Sequence, residues 1–257
     1  TYTNNPAFRK AATNGDVSDS QNLSGGFGGG EAHIVQYEGD GSGVEKGMMS
    51  MFGHDGNAEV AGYVISEAMG LDVVPETVFI RDANGKKTGT SQAFIEGAKT
   101  LREIGGDAEG VHELAKMIEE NPEVKRQAEN ILILDAMLGN PDRHGGNVVV
   151  GGDGNLWAID HGHARLRRIH ETSIDGDSPS SMISANIVAQ AYQRATKQNG
   201  AYGEVRIGMQ RMMGIRDAVD ALATESGLSE QVANILADNH DIIMGDGVRW
   251  KTNHVTW

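Results

Sequence analysis

Apolar and polar positions along this chain predict a strand-rich first part and a helical second part. Ala32-His-Ile-Val-Gln-Tyr37 reads as a strand, Asp40-Gly-Ser-Gly43 as a turn, and Val44-Glu-Lys46 as the start of another strand. Val60, Val64, Ala68 and Leu71 recur at helical spacing, so Gly56-Asn57 opens a helix running to Gly70. Thr77–Ile80 and Ser91–Ile95 form two more strands around the turn Asp82-Ala-Asn-Gly85. Beyond Gly97 the pattern turns helical, with segments at Glu109–Glu120 and 123–138, the second opened by Asn121-Pro122. Gly139-Asn140-Pro141 ends that helix. Val148–Val150, a tight turn at Gly151–Gly154 and Leu156–Ile159 then make a hairpin. Further helices are expected around 183–197, 205–225 and 229–239, the last with Ser229 as N-cap. The polar stretch from Thr1 to about Ser24 reads as a flexible tail, and Gly245–Trp257 as a docked C-terminal tail.

The hairpin brings Asp160 back toward Asn147 and Asp142, with His144, His161 and His163 nearby. Hard carboxylate and amide oxygens suit a Mg²⁺ ion whose remaining ligands are water and phosphate. Phosphoryl transfer also needs a carboxylate to orient the attacking hydroxyl. Asp142 and Asn147 are five positions apart, the spacing of the base and metal residues in kinase catalytic loops. A second metal Asp, Asp160, follows the hairpin. Asp135 lies on the core face with Ala128, Ile131, Leu132 and Leu138, and is expected to brace the loop as a hydrogen-bond acceptor rather than catalyse.

Ser24-Gly-Gly-Phe-Gly-Gly-Gly30 precedes the first strand. Glycines before a strand, a turn and a lysine-bearing strand are the layout that covers nucleotide phosphates, because backbone N–H groups can approach closely. On this reading Gly26, Gly28 and Gly29 contact phosphate and Lys46 holds it as a point charge. The competing reading is a flexible linker ahead of a hairpin. Glu59 and Glu67, two turns apart on the same helix, are the candidate ion-pair partners of Lys46.

Asn140-Pro-Asp-Arg-His-Gly-Gly-Asn147 with Ile159-Asp-His-Gly162 resembles the phosphatidylinositol 3/4-kinase-like branch of the kinase superfamily, which includes atypical protein kinases of the actin-fragmin kinase type. Asn57-Ala-Glu59-Val-Ala-Gly-Tyr63 and Leu71-Asp-Val-Val-Pro75-Glu-Thr77 are similar to the matching region of phosphatidylinositol 4-kinase-like proteins, a resemblance that implies Glu59 rather than Glu67 as the ion-pair partner of Lys46. The resemblance implies an α+β, two-lobed kinase-like fold: a small antiparallel-sheet lobe with one helix over residues 24–97, and a mostly helical lobe over 98–257. It implies ATP and Mg²⁺ (or Mn²⁺) as cofactors, Asp142 as base, Asn147 and Asp160 as metal ligands, and His144 as support for the loop or the transition-state charge. Phe94, Ile95 and Glu96, up to Gly97, would form the hinge against adenine, with Ile159 also lining the nucleotide site. His161 departs from the Phe that many kinases carry there.

Charge narrows the acceptor. The chain carries a net charge of −14, and the first 164 residues hold 12 Lys/Arg against 25 Asp/Glu. That argues against nucleic-acid binding and against docking on an anionic membrane, so a protein Ser/Thr acceptor is favoured over a lipid or small molecule. No cysteine is present, which excludes disulfides and thiolate metal sites. No apolar run is long enough to span a bilayer and no signal-peptide pattern opens the chain, so a cytoplasmic location is expected. Arg165, Arg167 and Arg168 are surface cations or phosphate contacts, and Met209, Met212 and Met213 are read as core. Two other readings stay open. One is a pseudokinase-like binding protein. The other is a metal-dependent hydrolase built on Asp142, His144, Asp160, His161 and His163.

Overall fold

The computed structural model describes residues 6–14, 17–22, 32–37, 41–49, 54–166, 186–198, 202–205, 215–246 and 248–251. The chain is α+β, with an antiparallel sheet in its first third and helices plus a small hairpin sheet after it. The first sheet contains β1 (Val17–Asn22), β2 (His33–Tyr37), β3 (Ser42–Gly47), β4 (Thr77–Arg81) and β5 (Lys87–Ala93) in the order β1-β2-β3-β5-β4. Lys46 pairs with Thr90 across β3 and β5 in the middle of this sheet.

Helix α2 (Gly56–Ala68) packs on β4 and β5. Asp55 caps it by accepting from the Asn57 N–H at 2.9 Å. Its residues are buried on nearly all sides because it lies between the sheet, α4 (Pro122–Leu138) and α6 (Ile215–Ser226). Helix α4 carries Pro122 in its first turn and ends at Gly139 in the left-handed region (φ 63°). It is the central helix of the main core and also contacts α5 (Ile187–Ala195) and α7 (Glu230–Asp246). Strands β6 (Lys99–Thr100), β7 (Val148–Val150) and β8 (Leu156–Ala158) form the small sheet, with Val148 opposite Ala158. Among the described residues no helix is long and apolar enough to cross a membrane.

Several expectations need correction. The N-terminal tail expected over residues 1–23 instead contains α1 (Pro6–Asn14) and β1. Phe8, Ala11 and Ala12 bury one face of α1 against Val35, Tyr37 and Ala93, and β1 pairs with β2 through its backbone. The strand expected at Ser91–Ile95 ends at Ala93. The helix expected to begin at Glu109 begins at Leu101, as α3 (Leu101–Glu120), with a kink at Gly106. In place of one helix over 205–225, β9 (Tyr202–Val205) precedes α6. The C-terminal stretch docks as expected, through β10 (Val248–Lys251), which pairs with β9.

Candidate functional site

The register of β3 against β5 and the burial of the first turn of α2 aim Lys46 and Glu59 at each other. Lys46 Nζ donates to Glu59 Oε1 at 2.8 Å and to Asp160 Oδ1 at 2.8 Å. Glu59, not Glu67, therefore takes the lysine. Burial opposes charge on Lys46, but Glu59 and Asp160 outweigh it and hold the ammonium above its usual range. Burial likewise opposes charge on Glu59, yet Lys46 and the His161 contact hold its carboxyl well below the ordinary value. The His161 backbone N–H donates to Glu59 Oε2 at 2.9 Å, so Glu59 is gripped at both oxygens.

A second network builds the loop after α4. Arg143 is buried, and its guanidinium donates to Asp135 Oδ1 at 2.8 Å and Oδ2 at 3.1 Å. Its Nη1 donates to the carbonyls of Asn147 (2.6 Å) and Ile159 (2.7 Å). One side chain thus ties the entry and exit of the hairpin to the helix beneath. Asn140 Nδ2 also donates to Asp135 Oδ1 at 3.0 Å, and Asn140 Oδ1 accepts from the Asp142 N–H at 3.0 Å. Asp135 is the loop brace that its position on the α4 core face suggested.

The loop leaves Asp142 half-exposed. Its Oδ2 lies 3.5 Å from His163 Nδ1 and 3.9 Å from His144 Nε2. His144 Nδ1 accepts from the Gly146 N–H at 3.0 Å, which fixes the ring over the loop. Asn147 is buried, and its Nδ2 donates to the Asp142 carbonyl at 2.9 Å. Its amide oxygen therefore remains as a donor atom for a cation. The Ile159 N–H donates to the Asn147 carbonyl at 3.1 Å, placing Asp160 one residue from Asn147 across the hairpin. Asp160 has φ 55°, a left-handed conformation that Asp tolerates better than most residues, and this turns its carboxylate toward Lys46. The donor set Asn147 plus Asp160, one neutral oxygen and one carboxylate, fits a hard divalent cation.

Two histidines pack behind the ion pair. His161 is fully buried, its ring lies against Gly62, and among the described residues neither ring nitrogen has a hydrogen-bond partner; Nδ1 is 3.8 Å from Glu59 Oε2. A Cβ on Gly62 would come within 2.8 Å of that ring. His54 packs over Gly162, where any Cβ would collide with its ring, and its Nδ1 is 3.7 Å from Glu59 Oε1. The Asp55 N–H donates to the Gly162 carbonyl at 2.8 Å, so the loop before α2 and the segment after Asp160 are joined. Burial lowers the affinity of both His54 and His161 for a proton.

His54, Glu59 and Asp160 each present a ligand atom within 4.8 Å of the others, and the Lys46 ammonium supplies the positive charge there. The histidine set of the hydrolase alternative does not converge: His161 is turned under α2, and among the described residues no cluster joins it to His144 and His163.

Gly26, Gly28 and Gly29 lie outside the described residues, as do Arg167, Arg168, Met209, Met212 and Met213. Phe94 and Glu96 are exposed and Ile95 is half-buried on the segment that leaves the sheet for α3. The Phe94 N–H donates to the Ser42 carbonyl at 2.8 Å. Ile159 is half-buried with both backbone polar groups engaged. The sequence reading missed His54, which carries no motif, and gave no role to Arg143 although it sits inside the loop motif.

No protein-family model matches the chain. Phosphatidylinositol 4-kinase gamma 4 of Oryza sativa subsp. japonica is 28% identical over 153 residues, covering 53% of this chain and 24% of that protein. The chain thus spans about a quarter of the length of this relative. Among solved structures, the golgi casein kinase overlays on 93% of this chain and 76% of its own, at 15% identity and a TM-score of 0.46. The Helicobacter pylori proinflammatory kinase CtkA overlays on 89% and 93%, at 16% identity and a TM-score of 0.45.

Proposed function

We propose that this chain is an ATP- and divalent-metal-dependent phosphotransferase of the phosphatidylinositol 3/4-kinase-like superfamily, acting on a hydroxyl, with a protein Ser/Thr acceptor favoured. The observation that carries the reading is Lys46 held at 2.8 Å by both Glu59 and Asp160, beside a loop presenting Asp142 and Asn147. The similarity to the plant phosphatidylinositol 4-kinase gamma 4 supports it, as does the order of residues in the loop motif.

In this reading Lys46 grips the α- and β-phosphates, positioned by Glu59. Asn147 and Asp160 would hold the metal, which when bound neutralises charge on the transferring phosphoryl group. Asp142 orients the acceptor hydroxyl and takes its proton, and His144 supports the loop. The net negative charge of the chain favours a protein acceptor over a membrane-bound one, because an anionic bilayer would repel it.

The test is incubation with γ-labelled ATP and Mg²⁺ or Mn²⁺, with generic protein acceptors and, separately, phosphoinositide vesicles. Label on protein, lost in Asp142→Ala and Asp160→Ala, is the expected result. Label on lipid alone would overturn the acceptor class. A wild type with neither transfer nor ATP binding would overturn the kinase reading.

A further inference from the structure

We propose that Asn186, which caps α5, is a positioning residue for the loop that bears Asp142 and Asn147; the inference rests on the kinase reading for its catalytic consequence. The side chain does two separable things. Its Oδ1 accepts from the N–H groups of Val188 (2.8 Å) and Ala189 (3.2 Å), an ordinary N-cap. Its Nδ2 donates to Asp135 Oδ2 at 2.6 Å. The cap alone would explain any of several polar residues here; the second bond requires an amide.

The bond matters because Asp135 is where the loop is fastened. One oxygen of its carboxylate takes Asn140 and Arg143, the other takes Arg143 and Asn186, and all four residues are buried. Removing the Asn186 donor leaves Oδ2 with Arg143 as its remaining described donor. The carboxylate is then free to rotate toward Asn140, carrying the Arg143 fork with it. Arg143 in turn holds the carbonyls of Asn147 and Ile159, so a rotation at Asp135 reaches the residues on either side of the proposed metal site. Helix α5 is joined to the loop a second time, because the Ile187 N–H donates to the Arg143 carbonyl at 2.9 Å. The start of α5 and the loop therefore move as one body, and Asn186 sets their angle.

Asn186→Ser separates the two functions: serine caps a helix about as well as asparagine, but its short hydroxyl cannot cap and reach Asp135 together. Two readouts decide. Amide hydrogen exchange over residues 142–147 is expected to speed up about tenfold or more, while exchange within α5 and the thermal midpoint stay near wild type. In transfer assays kcat is expected to fall about ten- to a hundred-fold with KM for ATP little changed, the size typical of losing an outer hydrogen bond to a site. Asn186→Thr, a second capping residue, serves if the serine variant does not fold. Unchanged exchange over 142–147 overturns the proposal whether or not the wild type transfers phosphate. Faster exchange in a chain that transfers nothing keeps the structural coupling and sinks only the kinase reading.

Discussion

Lys46 is the residue on which most depends, because it neutralises two carboxylates, one of them almost completely buried. Lys46→Met should cost about 3 kcal/mol in urea unfolding, since Glu59 would be left charged without a partner. Adding Glu59→Gln should recover part of that loss. An unchanged midpoint in the single variant would mean that the ion pair does not form. The histidines make a different claim, about acid. His54 and His161 are both held neutral by burial, so the unfolded chain takes up protons first as pH falls below about 6.5, and stability declines from there. Glu59 contributes in a lower window: its depressed carboxyl stabilises the fold above its ordinary value of 4.5 and that contribution is lost as pH falls further. Thermal midpoints between pH 7.5 and 5 should therefore slope downward, and His161→Leu should flatten the slope. A wild type with a flat profile over that range would contradict the neutral, buried imidazoles.

Elements were legible in the sequence where side chains carried the pattern. The α2 and α4 stripes and the β7–β8 hairpin follow from apolar spacing and turn residues. The choice of Glu59 over Glu67 comes instead from the resemblance of Asn57–Tyr63 to phosphatidylinositol 4-kinase-like proteins, since charge alone does not separate two glutamates on one helix. Strand β1 was not legible, because Val17-Ser-Asp-Ser-Gln-Asn22 is an edge strand held by backbone bonds and carries no alternation. Helix α1 did show Phe8, Ala11 and Ala12 on one face, but over nine residues that stripe is too short to outweigh its polar surroundings. Gly105-Gly106 hid the true start of α3. Thr100 and Glu103 form a reciprocal cap there, and the helix passes through Gly106 with φ 74° and ψ −177°, a conformation nearly reserved for glycine. Gly106→Ala should thus destabilise by about 1–3 kcal/mol despite alanine's better helix propensity. Thr100→Ala should cost about 1 kcal/mol through loss of the cap. A stabilising Gly106→Ala, measured by chemical unfolding, would show that α3 can straighten.

At the scale of the molecule, the N-terminal helix joins parts far apart in sequence. Arg9 donates to Glu76 at 2.6 Å, to Tyr63 Oη at 3.1 Å and to Glu225 on α6 at 3.1 Å. Glu76 is fully buried and Glu225 exposed, so Arg9→Met should lower the thermal midpoint far more than Glu225→Gln. Equal effects would place the weight of Arg9 on its surface contact instead. Such long-range ties were invisible in the sequence, because one arginine in a short polar stretch carries no sign of its partners. The loop after α4 is a contiguous motif that a sequence can display, whereas His54 and Asn186 come near it only through folding.

The packing of His54 over Gly162 also restricts how this chain can change by descent. A side chain at position 162 collides with the imidazole that stands at 54, so a substitution there is expected to follow a change that shrinks or turns away residue 54. Homologues with a residue larger than glycine at 162 should carry a small one at 54, and the two positions should drift together through a lineage. A variant library randomised at both sites would recover that dependence as epistasis.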